Sequence, residues 1–325
     1  MAWTTDDIPD QSGRVAVVTG ANGGLGLAST IALTGAGAHV VMAARDQDKA
    51  QRARGEVLAR HPDASVEVVP LDLGSLASVA TAVGQILAAH DHVDILLCNA
   101  GVMAMPQGST EDGFDTQFGV NHLGHWALTS HLLPTIVRTP GARVVTVSST
   151  AQHQGRPVDP ADPHMREHYD PWAMYAQTKL ANRHFAVGLD VQFRRNDVDA
   201  RALSSQPGLT NSDLQSRTVR EGGAGSLGPF FERLTDGIGM EPDFGALSQL
   251  RAATDPDASG GGFFGPLWVV TGPPVAKPLV RPGEAAAIEA LWEVSEAATG
   301  LRVNVAAALR DAPVEHPGES VDEIG

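Results

Sequence analysis

The sequence predicts an α/β protein, a doubly wound parallel sheet flanked by helices. Three observations carry that prediction. Short β-branched runs alternate with longer alanine-rich stretches through the first two hundred residues. Those runs are nearly continuously apolar instead of alternating, the pattern of strands covered on both faces. A glycine cluster stands where the first run gives way to the first helical stretch, a junction that needs a tight turn.

In chain order the strand candidates are Arg14–Thr19 (RVAVVT), Ala38–Ala43, Ser65–Leu71, Val93–Cys98, Ala142–Ser148 and Ala200–Leu203. Helices are predicted near 24–37, 46–60, 75–90, 110–137 and 172–196, so strand and helix alternate as in βαβ units. Ser109 and Asp112 form an S-x-x-D pattern ahead of Phe114 and Phe118, which predicts a capping box. Ala181, Phe185, Leu189 and Phe193 recur every four residues, a stripe that should face the sheet. After residue 205 the regularity fades. Residues 221–265 are rich in glycine and proline around Phe230, Phe231, Phe263 and Phe264, which predicts a loop or lid region. Those phenylalanines and Trp268 read either as core or as an apolar wall for a ligand, and the sequence leaves both open.

The 325 residues would allow two domains, but no second periodic core and no internal repeat is visible. The expected organisation is an N-terminal extension over 1–13, one Rossmann-type domain over 14–310 with a loop-rich C-terminal substrate region (lid about 209–265), and an acidic, disordered tail over 311–325. Apolar residues at 42% and charged residues at 19% suit a globular core. The net charge of −15 argues against nucleic acid and against an anionic membrane surface. The two terminal segments supply −8 of it, from Asp6, Asp7, Asp10, Asp311, Glu315, Glu319, Asp322 and Glu323. A single cysteine, Cys98, excludes an internal disulfide framework, fits a reducing compartment, and reads as a buried inert thiol. No apolar run reaches the roughly 18 residues of a membrane span, and the acidic start is unlike a signal peptide, so a cytoplasmic location is expected.

The glycine cluster is Thr19-Gly20-Ala21-Asn22-Gly23-Gly24-Leu25-Gly26, a G-x-x-x-G-x-G pattern. Glycines there let the backbone approach a pyrophosphate resting on a helix N-terminus. A plain strand-to-helix turn is the ordinary reading; the βαβ context favours a dinucleotide. No Gly-Lys-Ser/Thr follows, so it is not a P-loop. At the end of the second strand stand Ala44 and Arg45. Alanine cannot accept a hydrogen bond from a ribose 2′-hydroxyl, whereas a guanidinium can pair with a 2′-phosphate. NADP(H) is therefore favoured; Asp46, and the reading of Arg45 as a solvated charge, keep NAD(H) open.

Tyr175 and Lys179 stand four apart on one predicted helix and share a face. A phenol near pKa 10 is a poor acid or base at neutral pH, and a neighbouring cation favours its phenolate. Carbonyl reduction needs such a proton donor while hydride arrives from a nicotinamide. Alone the pattern is common and reads as a solvated face, so its neighbours matter. Ser148 and Ser149 end the fifth strand and Asn99-Ala100-Gly101 end the fourth, at the edge where open α/β sheets bind ligands. Asn121 lies among apolar helical residues, where an amide needs a specific partner. His122, His125 and His131 lack a cysteine or carboxylate at zinc spacing, so they read as packing residues and no metal is expected.

With those residues in order, the chain resembles the short-chain dehydrogenase/reductase family. The match carries Thr19–Gly26 as TGxxxGxG, Asp72, Asn99–Gly101, Asn121, Ser149, Tyr175-x-x-x-Lys179 and Pro207-Gly208, over residues 14–214. VNHLGHWALT, VTVSSTAQHQG, MYAQTKLAN, SQPGLTNSDL and LRAATDPDASGGGFFGP resemble its retinol-dehydrogenase and WW-domain-oxidoreductase branch. The resemblance implies that Tyr175 is the general acid/base and that Lys179 binds the nicotinamide ribose and lowers the tyrosine's pKa. It also implies that Ser149 orients the substrate oxygen and that Asn121 anchors a water relay to Lys179. For the cofactor it implies Gly20, Asn22, Gly23, Gly24, Leu25, Gly26 and Arg45, with Asp72 and Leu73 toward the adenine. Asn99, Ala100 and Gly101 would line the cofactor, and Pro207, Gly208 and Ser212 would lie at its nicotinamide end. Cys98 replaces the first asparagine of the usual Asn-Asn-Ala-Gly, Ser212 stands where threonine is usual, and the Ser149–Tyr175 segment is long. Ser148 competes for the serine role. The implied protein is an NAD(P)(H)-dependent oxidoreductase of a small carbonyl or alcohol substrate with an apolar body, as a homodimer or homotetramer. The alternatives are a catalytically silent NADP(H)-binding regulatory or scaffold protein, disfavoured by the intact serine, tyrosine and lysine, and a nucleotide-sugar epimerase, disfavoured by the glycine spacing.

Overall fold

The apolar runs pair into one eight-stranded sheet in a computed structural model that describes residues 2–210, 239–278 and 283–310. The first half runs β1 (Val15–Thr19), α1 (Gly24–Gly35), β2 (His39–Ala44), α2 (Gln47–Arg60), β3 (Val66–Pro70), α3 (Leu76–Ala89) and β4 (Ile95–Cys98). Next come α4 (Thr116–Phe118), a π-helical turn (Gly119–Leu123), α5 (Gly124–Ile136), β5 (Ala142–Val147), α6 (Pro171–Arg195) and β6 (Ala200–Ser205). The remainder forms α7 (Pro242–Thr254), β7 (Phe263–Pro266), β8 (Pro274–Ala276), α8 (Glu284–Thr299) and α9 (Val305–Arg310). The strand order is β3-β2-β1-β4-β5-β6-β7-β8, parallel throughout except for the antiparallel β7–β8 pair. Order reverses between β1 and β4, which opens a crevice beyond their carboxyl ends.

Alternate residues of each strand feed two cores. Val15 and Val17 of β1 join a layer with α3, α5, α6, α8 and α9, through Val79, Leu128, Phe185, Leu291 and Val305. Ala16 and Val18 join the other with α1, α2 and α7, through Leu33, Val57 and Leu250. Burial on both faces is why the strand runs lack polar alternation. Residues before β1 are tied down as well: Trp3 and Ile8 pack on the second core, and Gln11 is wholly buried. Among the described residues no helix is long and apolar enough to cross a membrane.

Three local expectations are corrected. The Ser109/Asp112 pattern is not a capping box. Asp115 caps α4 by accepting from the Gln117 and Phe118 N–H groups at 2.9 Å. Asp112 instead accepts the Leu76 N–H at the start of α3. The helix expected over 110–137 starts at Thr116 and is broken by the π turn. The described part of the expected lid is not a loop, because 242–254 is helix and 263–266 is strand. Gly245 and Gly265 lie inside these elements, and the two prolines are tolerated because Pro266 ends β7 beyond its pairing with β6 and Pro274 starts the edge strand β8. Phe263 and Phe264 are buried in the core and not a ligand wall, while Trp268 is 67% exposed. Phe230, Phe231 and Ser212, the 211–238 part of the lid, and the 311–325 tail lie outside the described residues.

Candidate active site

The carboxyl ends of β1, β2, β4, β5 and β6 open into one cavity of about 2170 Å³. Its floor is built from the glycine turn. Gly20 has φ +66°, a left-handed conformation that disfavours any side chain. A Cβ on Gly26 would lie 2.3 Å from the Gly20 carbonyl oxygen and 2.7 Å from Asn99 Nδ2, so the turn closes only with glycine there. The backbone of Asn22, Gly23, Gly24 and Leu25 thus faces the cavity at the N-terminus of α1.

One hydroxyl ties this turn to β4. Thr19 Oγ1 accepts the N–H groups of Asn99 and Ala100, both at 2.9 Å. Asn99 Nδ2 returns a bond to the Thr19 carbonyl at 2.8 Å. His125 completes the junction, with Nε2 2.9 Å from Thr19 Oγ1 and Nδ1 3.1 Å from the Asn121 carbonyl. Burial pushes its pKa down to about 4, so the ring is neutral at physiological pH. A carbonyl can only accept; Nδ1 therefore carries the proton and Nε2 accepts from the threonine hydroxyl. Gln249 of α7 adds a bond from Nε2 to Asn99 Oδ1 at 3.2 Å and another to Ser29 Oγ at 2.8 Å. Sequence spacing missed His125 and Gln249 as site supports, because each partner lies on another element.

Asn121 lies in the π turn, a distortion of helical hydrogen bonding that recurs at functional sites. Its Oδ1 accepts the Val102 N–H at 2.7 Å, and its Nδ2 donates to the Val102 carbonyl and Thr178 Oγ1. The expected specific partner exists: the amide clamps the loop after β4 onto α6. Gly101 follows from that closeness. A Cβ on it would stand 3.0 Å from Asn121 Oδ1 and 3.5 Å from Lys179 Nζ.

The α6 helix starts at Asp170, whose carboxylate accepts the Ala173 N–H at 2.6 Å, with Pro171 at the first position. Tyr175 and Lys179 then enter the cavity from its second and third turns, the ammonium 5.6 Å from the phenol ring centroid. Lys179 Nζ donates to the Val147 carbonyl at 3.1 Å. Burial lowers the lysine to about 8. Tyr175 departs from expectation: burial raises its phenol to about 12, opposed by a hydrogen bond with Ser149. Desolvation of the phenolate outweighs the Ser149 hydrogen bond, so the phenol holds its proton at neutral pH.

The two serines separate clearly. Ser148 Oγ donates to the Lys179 carbonyl at 2.7 Å and helps dock α6 on β5. Ser149 caps a short 3-10 turn and presents its hydroxyl to Tyr175.

At the other end of the cavity Arg45 and Lys49 stand near Asp72. The Arg45 guanidinium is 57% exposed, and its Nη1 is 3.8 Å from Asp72 Oδ2. Asp46 is committed to capping α2, accepting the Lys49 N–H at 2.9 Å. Asp72 also accepts the Gly74 N–H at 2.8 Å. Leu73, Gly101, Pro207 and Gly208 line the same cavity. Met103, Met105, Met165, Trp172 and Leu209 also line the cavity, which no spacing in the sequence marks, together with the charged Arg156, Asp159, Asp162 and Glu167. The helix histidines are packing residues: His122 Nε2 is 2.9 Å from Ser295 Oγ and its ring stacks on Phe118. Cys98 is buried, which raises its thiol to about 12.

The sequence profile described as short chain dehydrogenase matches residues 14–222. Mouse polyprenol dehydrogenase is 36% identical over 260 residues, covering 78% of this chain and 76% of that protein. Human retinol dehydrogenase 13 is 37% identical over 227 residues, covering 67% of this chain and 66% of that protein. A crystal structure of a protein from Mycobacterium paratuberculosis superposes with a TM-score of 0.75 at 36% identity, covering 93% of this chain and 99% of that one.

Proposed function

The chain belongs to the short chain dehydrogenase family, and from that premise we propose an NADP(H)-linked oxidoreductase that interconverts a carbonyl and an alcohol on a substrate with an apolar body. One observation carries the proposal. Ser149, Tyr175 and Lys179 open into the same cavity as the glycine turn, at the switch point of the sheet. The residues fit a dinucleotide: a glycine cradle that a Cβ would fill, a helix N-terminus behind it, and a basic end at Arg45 and Lys49. Gly20, Asn22, Gly23, Gly24, Leu25 and Gly26 would hold the pyrophosphate, Asp72 and Leu73 the adenine end, and Asn99, Ala100, Gly101, Pro207, Gly208 and Ser212 the rest. When bound, the nicotinamide gives or takes the hydride.

The protein's own residues manage the proton. Tyr175 donates its phenolic proton to the developing alkoxide in reduction and recovers it in oxidation. Ser149, already bonded to that phenol, orients the substrate oxygen. Lys179 stabilises the phenolate while the proton is away, the moment when an adjacent cation matters most. The Asn121 side chain is fully engaged, so its share is to hold the loop after β4 in place. The three methionines and Trp172 in the lining favour an apolar substrate body, and the names polyprenol and retinol dehydrogenase point the same way. The test is nicotinamide absorbance with NADPH and NADH against paired panels of apolar and polar carbonyls and alcohols. Turnover is expected with apolar members; cofactor binding without turnover on any panel would refute the enzyme reading.

A further inference from the structure

Away from the cavity, three side chains from separate elements meet at the opposite edge of the sheet. His39 opens β2, Glu67 lies on β3, and His90 caps the C-terminal end of α3. Val41 is in register with Glu67. His39, two residues before Val41, therefore projects from the same face as that carboxylate. His90 Nε2 lies 2.8 Å from Glu67 Oε1, and His39 Nε2 lies 3.6 Å from the same oxygen. The three donor atoms all fall within 4.8 Å of one another.

The hydrogen-bond balance at this point is incomplete. His39 Nδ1 lies 2.7 Å from Ser65 Oγ. A contact of that kind fixes an imidazole's orientation and leaves its other nitrogen as the ligand atom. That other nitrogen, Nε2, is buried and makes no hydrogen bond among the described residues. The His90–Glu67 contact is short, and the one from His39 is beyond hydrogen-bond length. The carbonyl end of α3 adds negative potential. Two nitrogens and one carboxylate oxygen thus converge on one point.

We propose that His39, Glu67 and His90 form a binding site for a divalent transition-metal ion, with zinc as the reference ion and water completing the coordination. Zinc takes imidazole nitrogen and carboxylate oxygen at about 2.0–2.2 Å, which puts ligand atoms roughly 3.3 Å apart in a tetrahedron. The observed 2.8 and 3.6 Å separations bracket that spacing. Side-chain exposures of 24%, 38% and 14% for His39, Glu67 and His90 leave the site open to an ion and a water ligand. None of the three lines the cavity. The ion would staple edge strand β3 to β2 and to the end of α3, so loading should change stability and leave turnover alone. Spacing along the sequence could not show this set, because its members come from three elements.

The test uses the full chain, untagged and stripped with chelator, titrated with zinc by calorimetry at neutral pH. One equivalent should bind, and the melting temperature should rise with zinc. Glu67→Gln and His90→Gln should each weaken binding by about 100-fold or more and abolish the zinc-dependent rise. Ser65→Ala, which removes only the outer contact, should weaken it about 10-fold. Absence of saturable binding, or binding unchanged in both glutamine variants, overturns the proposal. Should those variants fail to fold, the wild-type cobalt(II) complex decides. An intense tetrahedral visible spectrum with two bound imidazoles supports the site; a weak octahedral spectrum without them overturns it.

Discussion

Replacing Asn121 by alanine removes the clamp between the π turn, the loop after β4 and α6. Three hydrogen bonds vanish: the Val102 N–H to Oδ1 at 2.7 Å, and Nδ2 to the Val102 carbonyl at 2.9 Å and to Thr178 Oγ1 at 3.0 Å. Thr178 keeps a partner, since its hydroxyl donates to the Tyr175 carbonyl at 2.8 Å. The two main-chain groups of Val102, a residue 6% exposed, do not. An orphaned buried donor or acceptor costs about 1–3 kcal/mol, so two cost about 2–6 kcal/mol. Val102 borders the cavity and water can reach it, which places the loss near the low end, at about 3 kcal/mol. At about 2.1 cal/mol/K of unfolding entropy per residue, 325 residues move the melting temperature by roughly 1.5 °C per kcal/mol, so Asn121→Ala should melt about 4–5 °C lower. Circular dichroism melts and urea midpoints measure it, with Asn121→Asp, which keeps the acceptor, expected to lose less of the Val102 N–H contact. A fall of less than about 2 °C would show that the clamp carries no weight.

Lys179→Met should raise stability at pH 7 while abolishing turnover. Burial lowers the lysine to about 8 from an ordinary 10.5, so the folded state pays to hold the ammonium at every pH below about 8. That penalty, of order 3 kcal/mol, fades as pH rises from about 8 toward 10.5, so the advantage of methionine in thermal melts should shrink over that window. The Val147 carbonyl is not orphaned, because Asn182 Nδ2 also donates to it at 3.1 Å. Arg45→Asp should weaken NADPH binding about 10–100-fold, the worth of a charge-assisted phosphate contact, and NADH by less than about 3-fold; equal losses in calorimetry would reject Arg45 as the 2′-phosphate contact. Gly26→Ala should cost NADPH affinity at least about 10-fold while circular dichroism stays native, because its Cβ would meet the Gly20 carbonyl at 2.3 Å. Undiminished affinity would mean that the glycine turn does not shape the cofactor site.

Much of this was legible before any coordinates. The continuous apolar runs are strands because both faces are buried, and the glycine turn and the Tyr175/Lys179 pair line one cavity, while Asn121 is buried outside that lining, bonded to Val102 and Thr178. What stayed hidden depended on partners distant in sequence. Phe263 and Phe264 look like a loop's aromatics until β6 supplies a neighbouring strand for them. Ser148 and Ser149 are equivalent in sequence; only the Lys179 carbonyl, reached across the α6–β5 packing, separates them. Asp112 caps a helix that begins 36 residues earlier, at Leu76. The phenol of Tyr175 is raised and not lowered because burial, a property of the whole fold that spacing does not reveal, outweighs its hydrogen bond with Ser149.

Turnover by Tyr175→Phe, measured alongside its NADPH affinity, bears most directly on the proposed chemistry. The phenylalanine keeps the ring beside Lys179 and the edge-to-face contact with Trp172 while removing only the hydroxyl. General acid catalysis is worth roughly 10²–10⁴-fold. The predicted result is a fall in kcat of that size with NADPH affinity within about 3-fold of wild type. A variant that turns over within a few-fold of wild type would contradict the assignment of Tyr175 as the proton donor.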